Sequence, residues 1–303
     1  MRKIAFALAA LAMLTGTAPA PRTGAEDPML RPIAPDYARR WIEPPLTPQR
    51  IHGRSYYVGF RGLAVVLVDT GGGLLLFDGG VPQSVRALQA NIRQLGFDPK
   101  QIRYIFSTEP HWDHAGGIAA LARDSGAMVV AGRSAVSALR TGQVGRDDPQ
   151  ADIHDPFPPV ARVRGVNDGA TIRLGAVIVT AHATTGHTAG STSWSWRSCE
   201  GRNCANIVFA ASINPVSGDA YRFADHPERV AMLRMGAAKL AALPCDIAIP
   251  THPDTNATLE RLARLTQGRM PNPLIERGAC RTLAATYGKR LDARLAKEKA
   301  ATR

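Results

Sequence analysis

The chain has 303 residues, 45% of them apolar, and a formal net charge of +12. This length suits one large domain or two small ones, and the apolar share excludes a largely disordered chain. The positive residues are mostly Arg, scattered without a dense run or interleaved aromatic residues, so the charge predicts a solvated basic surface and no nucleic-acid partner.

The N-terminus has the pattern of a secretory signal peptide. Two basic residues precede an apolar run at 4–14, and residues 18–20 form a small-x-small cleavage sequence. The run is shorter than the roughly 20 residues that a membrane-spanning helix needs, and no later stretch is long and apolar enough. We therefore predict a signal peptide over 1–20 and a single mature domain over 21–303, periplasmic or secreted, with no membrane contact after cleavage.

The first half of the mature chain alternates strands and helices after an extended, Pro-rich arm at about 21–49. The turn Asp78-Gly79-Gly80 closes an opening meander. The strand-like and helical patterns predict strands at 55–60, 64–69, 73–77, 102–107 and 128–131, and helices at 84–95 and 117–125.

The second half repeats this theme after a Pro- and Asp-rich loop at 147–159. Its patterns predict strands at 171–174, 177–183, 191–196, 207–211 and 247–250, and helices at 225–243, 259–265 and 274–300, the first with Asp225 as its N-cap. Two similar halves, each a sheet with helices outside, favour an α/β fold with two sheets, arranged as a four-layer αβ/βα sandwich.

The four cysteines of an exported chain predict disulfides, and three pairings are possible. Cys199 and Cys204 flank a turn between two strand-like runs, so a local bridge is geometrically easy. That pairing leaves Cys245 with Cys280, a bridge that would tie the C-terminal helix to the core. A four-thiolate zinc site is the less favoured alternative, because the short-spaced Cys pairs of zinc ribbons are absent.

Histidines carry the sharpest functional pattern. The segment His111-Trp112-Asp113-His114 directly follows a predicted strand, and His187 and His252 each lie just past another. Strand ends are where α/β sheets hold ligands, and imidazole and carboxylate groups suit zinc. Two His and an Asp within four residues are hard to explain as packing, so the pattern predicts a metal site.

The other four histidines receive structural interpretations. His52 and His154 lie in polar loops, and His226 stands where a helix begins. His182 lies at the end of a predicted strand, where it could support a ligand from behind, although a structural role is favoured.

These motifs resemble the metallo-β-lactamase superfamily, whose signature is His-x-His-x-Asp-His, then a His after Gly, then a late His. The similarity is greatest to the β-lactamases of subclass B3, and it covers nearly the whole mature chain. It includes the turn at 78–80, the segments 186–192, 212–215 and 245–247, and the pair Cys245 and Cys280, which look like the disulfide of that subclass.

The resemblance implies two zinc ions. It makes His111 and His187 ligands of the first ion, and Asp113, His114 and His252 ligands of the second. Glu109 stands where the family has its first His. Because a carboxylate can ligate zinc, we predict Glu109 as the third ligand of the first ion; the alternative is that it points away, toward an Arg.

The implied activity is hydrolysis of a β-lactam amide by a metal-bound hydroxide that Asp113 positions. The chain has Ser212 where glyoxalase-type members place a bridging Asp, so Ser212 and Asn214 become candidate contacts to a small β-lactam substrate. A turn hydrogen bond is the alternative role of Ser212. Trp41 is either a hydrophobic wall of the site or a core anchor. The alternative activity is that of another hydrolase of this fold, a lactonase or thioesterase; we expect a monomer.

Overall fold

The computed structural model describes residues 33–301, so the predicted signal peptide and its cleavage site lie outside the described residues. Within that range, no helix combines the length and the hydrophobicity needed to cross a membrane.

Two β-sheets form the centre of the fold. The first has seven strands in sequential order: β1 (Gln49–His52), β2 (Ser55–Tyr57), β3 (Val66–Asp69), β4 (Leu74–Phe77), β5 (Ile102–Phe106), β6 (Met128–Gly132) and β7 (Val163–Val166). Strands β1 to β4 pair antiparallel, whereas β4 to β7 pair parallel. The parallel strands end at the same edge, which is where a ligand site is expected.

The second sheet has five strands, in the order β12-β11-β10-β9-β8. They are β8 (Thr171–Leu174), β9 (Val177–Ala183), β10 (Thr192–Glu200), β11 (Asn203–Ala210) and β12 (Ile247–Pro250). Strands β8 to β11 pair antiparallel, and β12 joins β11 in parallel.

Helices cover the outer faces of both sheets. They are α1 (Pro35–Tyr37), α2 (Val85–Gln94), α3 (Trp112–Ala115), α4 (Ile118–Ser125), α5 (Val136–Thr141), α6 (Pro227–Ala242), α7 (Thr258–Thr266) and α8 (Ala279–Ala300). Helix α2 has Val85, Leu88 and Ile92 on one face at helical spacing, and all three are buried. Helix α4 ends where Gly126 adopts φ 74°, a left-handed conformation that glycine takes without strain.

Three apolar layers separate the four layers of secondary structure. Strand β4 alternates between two of them: Leu74 and Leu76 face the helices of the first half, whereas Leu75 and Phe77 face the other sheet. Phe77 stacks on Trp196 of β10 with ring centroids 4.5 Å apart. The third layer lies between the second sheet and helices α6 and α8. The predicted four-layer αβ/βα sandwich is therefore confirmed.

Several local predictions need correction. The arm at 21–49 is not extended throughout, because α1 continues into a wide helical turn at Ala38–Ile42, and β1 begins at Gln49. Asp225 is not the N-cap of α6; it lies in a short 3-10 turn, and His226 occupies the cap position. Helix α8 begins at Ala279, after an irregular segment. Strand β7 and helix α5 had no counterpart among the predicted elements.

Both predicted disulfides are present. Cys199–Cys204 crosses the hairpin of β10 and β11, where the two residues are register partners. Cys245–Cys280 joins the residues just before β12 to the first turn of α8, so it ties the C-terminal helix to the core as expected.

Candidate metal centre

The segment after β5 is fixed by the turn that follows β4. Oδ1 of Asp78 accepts a hydrogen bond from the backbone N of Thr108 (2.7 Å), and Oδ2 accepts one from Oγ1 of Thr108 (2.6 Å). The backbone N of Gly79 donates to the carbonyl of His114 at 2.9 Å. A Cβ on Gly117 would lie 2.2 Å from the carbonyl oxygen of Gly79, so this close approach of the two segments requires glycine.

The six predicted ligands meet at the edge where β5, β9 and β12 end. They form two groups, each with one donor atom per residue lying within 4.8 Å of the others: Glu109 with His111 and His187, and Asp113 with His114 and His252. Each group combines residues of the first half with one of the second. The structure thus brings together the same two sets that the sequence motifs define.

The imidazoles are oriented by contacts on their outer nitrogens. In the tautomer that donates there, Nε2 of His111 bonds Asp148 at 3.1 Å, Nδ1 of His187 bonds the carbonyl of Asn214 at 2.7 Å, and Nδ1 of His252 bonds the carbonyl of Gly62 at 3.0 Å. Metal-binding histidines have such partners, which leave the opposite nitrogen free to ligate.

Glu109 points into the cluster and not toward an Arg. Its side chain is fully buried, with Oε1 3.1 Å from Nε2 of His114 and Oε2 3.8 Å from Nε2 of His187. Oε2 also accepts a long hydrogen bond from Ser191 (3.5 Å), whereas Oε1 has no hydrogen-bond partner. Burial raises the pKa of this carboxyl to about 7, although the neighbouring His114 and His111 oppose the rise.

The second group behaves as a charged pair. Burial alone would raise the pKa of Asp113, but the charge of His114 and the hydrogen bond from it hold this pKa well below the usual value. Burial lowers the pKa of His114, but the negative charges of Asp113 and Glu109 raise it more. The pKa of His114 therefore lies well above 6.5. Buried oxygen and nitrogen atoms that face one another without full hydrogen bonding fit a divalent cation with N and O ligands.

Three polar residues of the loop 147–159 reach this cluster, and sequence reasoning did not assign them to it. Asp148 bonds His111, as described. Nε2 of Gln150 lies 3.4 Å from Nδ1 of His111 and 3.2 Å from Nε2 of His187. The ring of His154, given a structural interpretation above, stacks on the ring of His111 with centroids 4.0 Å apart. The sequence signal that could have assigned them is the high density of polar residues in a Pro-rich loop.

A cavity of about 730 Å³ opens above the metal centre, a size suited to a small organic molecule. Ser212 and Asn214 line it, and Nδ2 of Asn214 donates to Oγ of Ser212 at 3.3 Å, so Ser212 also makes the predicted turn contact. Trp41 lines it too, and packs between Tyr37 and Trp112 against the first apolar layer. Trp41 therefore lies in the cavity wall and also packs against the core.

Arg290 of α8 adds a positive charge to the cavity wall. Its Nη1 donates to Oδ1 of Asn214 at 2.7 Å and lies 3.5 Å from Oγ1 of Thr255. In the part of the chain that the structure describes, no salt bridge pairs Arg290 with a carboxylate. Sequence reasoning missed this residue because it lies on a distant helix.

A family model described as the metallo-beta-lactamase superfamily matches residues 58–200. A solved B3 metallo-β-lactamase, described as the first with an active-site glutamic acid, is 46% identical, with a TM-score of 0.80 over 91% of this chain and 99% of its own. The metallo-β-lactamase SMB-1 is 44% identical, with a TM-score of 0.82 over 84% of this chain and 98% of its own.

A more distant similarity involves a hydroxyacylglutathione hydrolase from Anaeromyxobacter dehalogenans (strain 2CP-C). It is 33% identical over 136 residues, which are 45% of this chain and 42% of that protein. The match therefore spans less than half the length of that curated relative.

Proposed function

This chain belongs to the metallo-β-lactamase superfamily, and from that premise we propose that it is a zinc-dependent β-lactamase of subclass B3, which hydrolyses the amide of the β-lactam ring. The observation that carries the proposal is the buried metal centre at the floor of a cavity whose wall has Ser212 at the end of β11. A bridging carboxylate, which glyoxalase-type members place at this position, is thus replaced by a hydroxyl.

Two zinc ions are proposed, one held by Glu109, His111 and His187 and the other by Asp113, His114 and His252. Zinc, when bound, polarises a carbonyl and lowers the pKa of water to about 7. The buried Glu109 carboxylate fits the first position because a cation would compensate its charge and satisfy Oε1, which has no hydrogen-bond partner.

The residues of the chain have distinct proposed roles around the reacting amide. Asp113 stays ionised, so its carboxylate can accept a hydrogen bond from the attacking water and orient it toward the carbonyl. Ser212, Asn214 and Arg290 form a polar wall suited to the carboxylate of a β-lactam, with the guanidinium as its charged member. Trp41 forms an apolar wall that reduces access of bulk water.

Metal removal tests this function. We expect dialysis against a chelator to abolish hydrolysis of a chromogenic cephalosporin, and added zinc to restore it. Asp113→Asn should lower kcat strongly, whereas the exposed Asp124→Asn on α4 serves as a matched control for the lost charge. Full activity after thorough metal removal would refute the proposal.

Another hydrolase of this fold, a lactonase or thioesterase, is the second candidate, favoured by the partial similarity to a hydroxyacylglutathione hydrolase. Steady-state rates with penicillins, carbapenems, acyl-lactones and thioesters decide between the two. A kcat/KM that is higher for a thioester than for every β-lactam would favour this candidate.

We also propose export to the periplasm or medium as a monomer, with antibiotic resistance as the consequence for the host. Two disulfides support export, because disulfides persist in oxidising compartments. Fractionation of expressing cells, with size-exclusion chromatography of the mature chain, tests both statements. Activity confined to the cytoplasmic fraction would contradict export.

A further inference from the structure

The loop 147–159 is fastened to the second half of the molecule at two points. Nη2 of Arg229, a buried residue of α6, donates to the carbonyl of Asp147 at 2.7 Å. The backbone N of Gly218 donates to the carbonyl of Pro149 at 2.9 Å. These contacts hold an irregular segment in one path across the mouth of the metal centre, and His154 lies on that path.

His154 has a buried nitrogen with no hydrogen-bond partner. Its ring lies against the ring of His111 at an interplanar angle of 29°, and its Nε2 is shielded from solvent and makes no hydrogen bond. A buried polar atom left unsatisfied costs about 1–3 kcal/mol. Such an atom at the wall of a metal centre indicates a ligand that the protein atoms themselves do not supply.

His154 also belongs to a third group of possible metal ligands. His154, His111 and Asp113 each offer one atom, and these atoms lie within 4.8 Å of one another. Two imidazoles and a carboxylate form a set that suits zinc and cobalt. The third group shares His111 with the first set and Asp113 with the second.

The first and third groups share His111, so they cannot both hold an ion at the same time. Because Nε2 of His111 faces Asp148, only Nδ1 remains for a metal, and one nitrogen ligates one ion. Asp113 has two carboxylate oxygens, so it can serve the second set and the third group together. The side chain of Gln150 lies against both groups at Nδ1 of His111 (3.4 Å) and against the first set also at Nε2 of His187 (3.2 Å).

We propose that His154, His111 and Asp113 form an alternative position for the first ion, which a divalent cation occupies in exchange with the Glu109 position. The inference rests on the metal binding proposed above and is independent of which substrate is hydrolysed. The chain thus offers its first ion either a carboxylate and two imidazoles around Glu109, or a similar set nearer the cavity mouth.

The test measures metal binding directly. The metal-free protein is titrated with Co²⁺ and Zn²⁺ in competition with a chelator, and bound metal is counted by elemental analysis. The variants are Glu109→Ala, His154→Phe and the double variant; Phe keeps a ring stacked on His111 but removes both nitrogens. His226→Phe, which removes a half-exposed histidine that belongs to none of the three donor groups, is the matched control.

We expect Glu109→Ala to retain two ions and the double variant to retain one. His154→Phe alone should retain two ions but bind the first about 2-fold more weakly, the loss expected when one of two comparably populated positions is removed. The visible spectrum of the Co²⁺ form should also change in His154→Phe and not in His226→Phe. Glu109→Leu, which fills the buried site without a ligating atom, replaces Glu109→Ala where the latter fails to fold.

Two outcomes overturn the inference while leaving the proposed function intact: unchanged affinity and spectrum in His154→Phe, or a single ion in Glu109→Ala despite an intact His154. A wild-type protein that binds no metal would overturn the inference and the proposed function together. Two ions in the wild type without β-lactam hydrolysis would count against the function only.

Discussion

Replacing Glu109 by Gln should stabilise the protein when it is free of metal and destabilise it, relative to the wild type, when zinc is bound. Burial raises the pKa of Glu109 from 4.5 to about 7, which corresponds to about 3 kcal/mol of free energy. A carboxyl whose pKa is raised on folding contributes stability below pH 4.5, and this contribution is lost as the pH rises through about 7. Gln has no charge to bury.

We therefore expect the free energy of unfolding of the metal-free Glu109→Gln variant to rise relative to that of the wild type as the pH increases from 4.5 to 8, by about 3 kcal/mol in total. Urea denaturation of chelator-treated protein at several pH values measures the gain. With zinc present the order should reverse, because a ligand that binds only the folded state stabilises it in proportion to its affinity. The exposed Glu228→Gln is the control. Parallel pH curves for the wild type and the Glu109→Gln variant would refute the reasoning.

Three further changes have defined outcomes. Asp148→Ala should weaken metal binding ~10- to 100-fold in a chelator competition, because it frees Nε2 of His111; unchanged affinity would contradict the orienting role. Arg290→Ala should raise KM for a cephalosporin ~10-fold or more but leave KM for its methyl ester unchanged. Lys289→Ala is the control. Equal effects on the two substrates would exclude a contact between Arg290 and the substrate carboxylate. Removing the Cys245–Cys280 bridge should cost about 4 kcal/mol in chemical denaturation and removing Cys199–Cys204 about 2, because the closed loops differ in length; equal costs would argue against chain entropy as the cause.

The strands and the two ligand groups could be predicted because their information is local. Asp113 and His114 are neighbours in sequence, and each remaining ligand lies within five residues of the end of β5, β9 or β12. The direction of Glu109 could only be guessed, since nothing in the sequence shows that its side chain would meet His114 and His187 instead of an Arg.

The contribution of the loop 147–159 could not be predicted, because its path depends on tertiary contacts. Asp148, Gln150 and His154 have no periodic spacing. They reach the metal centre along a path that Arg229 and Gly218, both distant in sequence, hold in place. Strand β7 was missed for a related reason. Its sequence, Val-Arg-Gly-Val, is short and contains a glycine, so it has no clear strand pattern. It forms a strand because it pairs with β6.

The two ligand sets proposed for the zinc ions, one with Glu109 and one with His114, each draw on both halves of the sandwich. Glu109 and Asp113 lie in the segment after β5, whereas His187 and His252 follow strands of the other sheet, which are made later in the chain. A polypeptide emerging from synthesis or export therefore has no complete site until its second half has folded against its first. Metal capture is then a late event in maturation, and the ion, once in place, clamps the seam between the two sheets. Fragments cut between the halves should bind two ions only when they reassociate, because His187 and His252 lie on the second fragment.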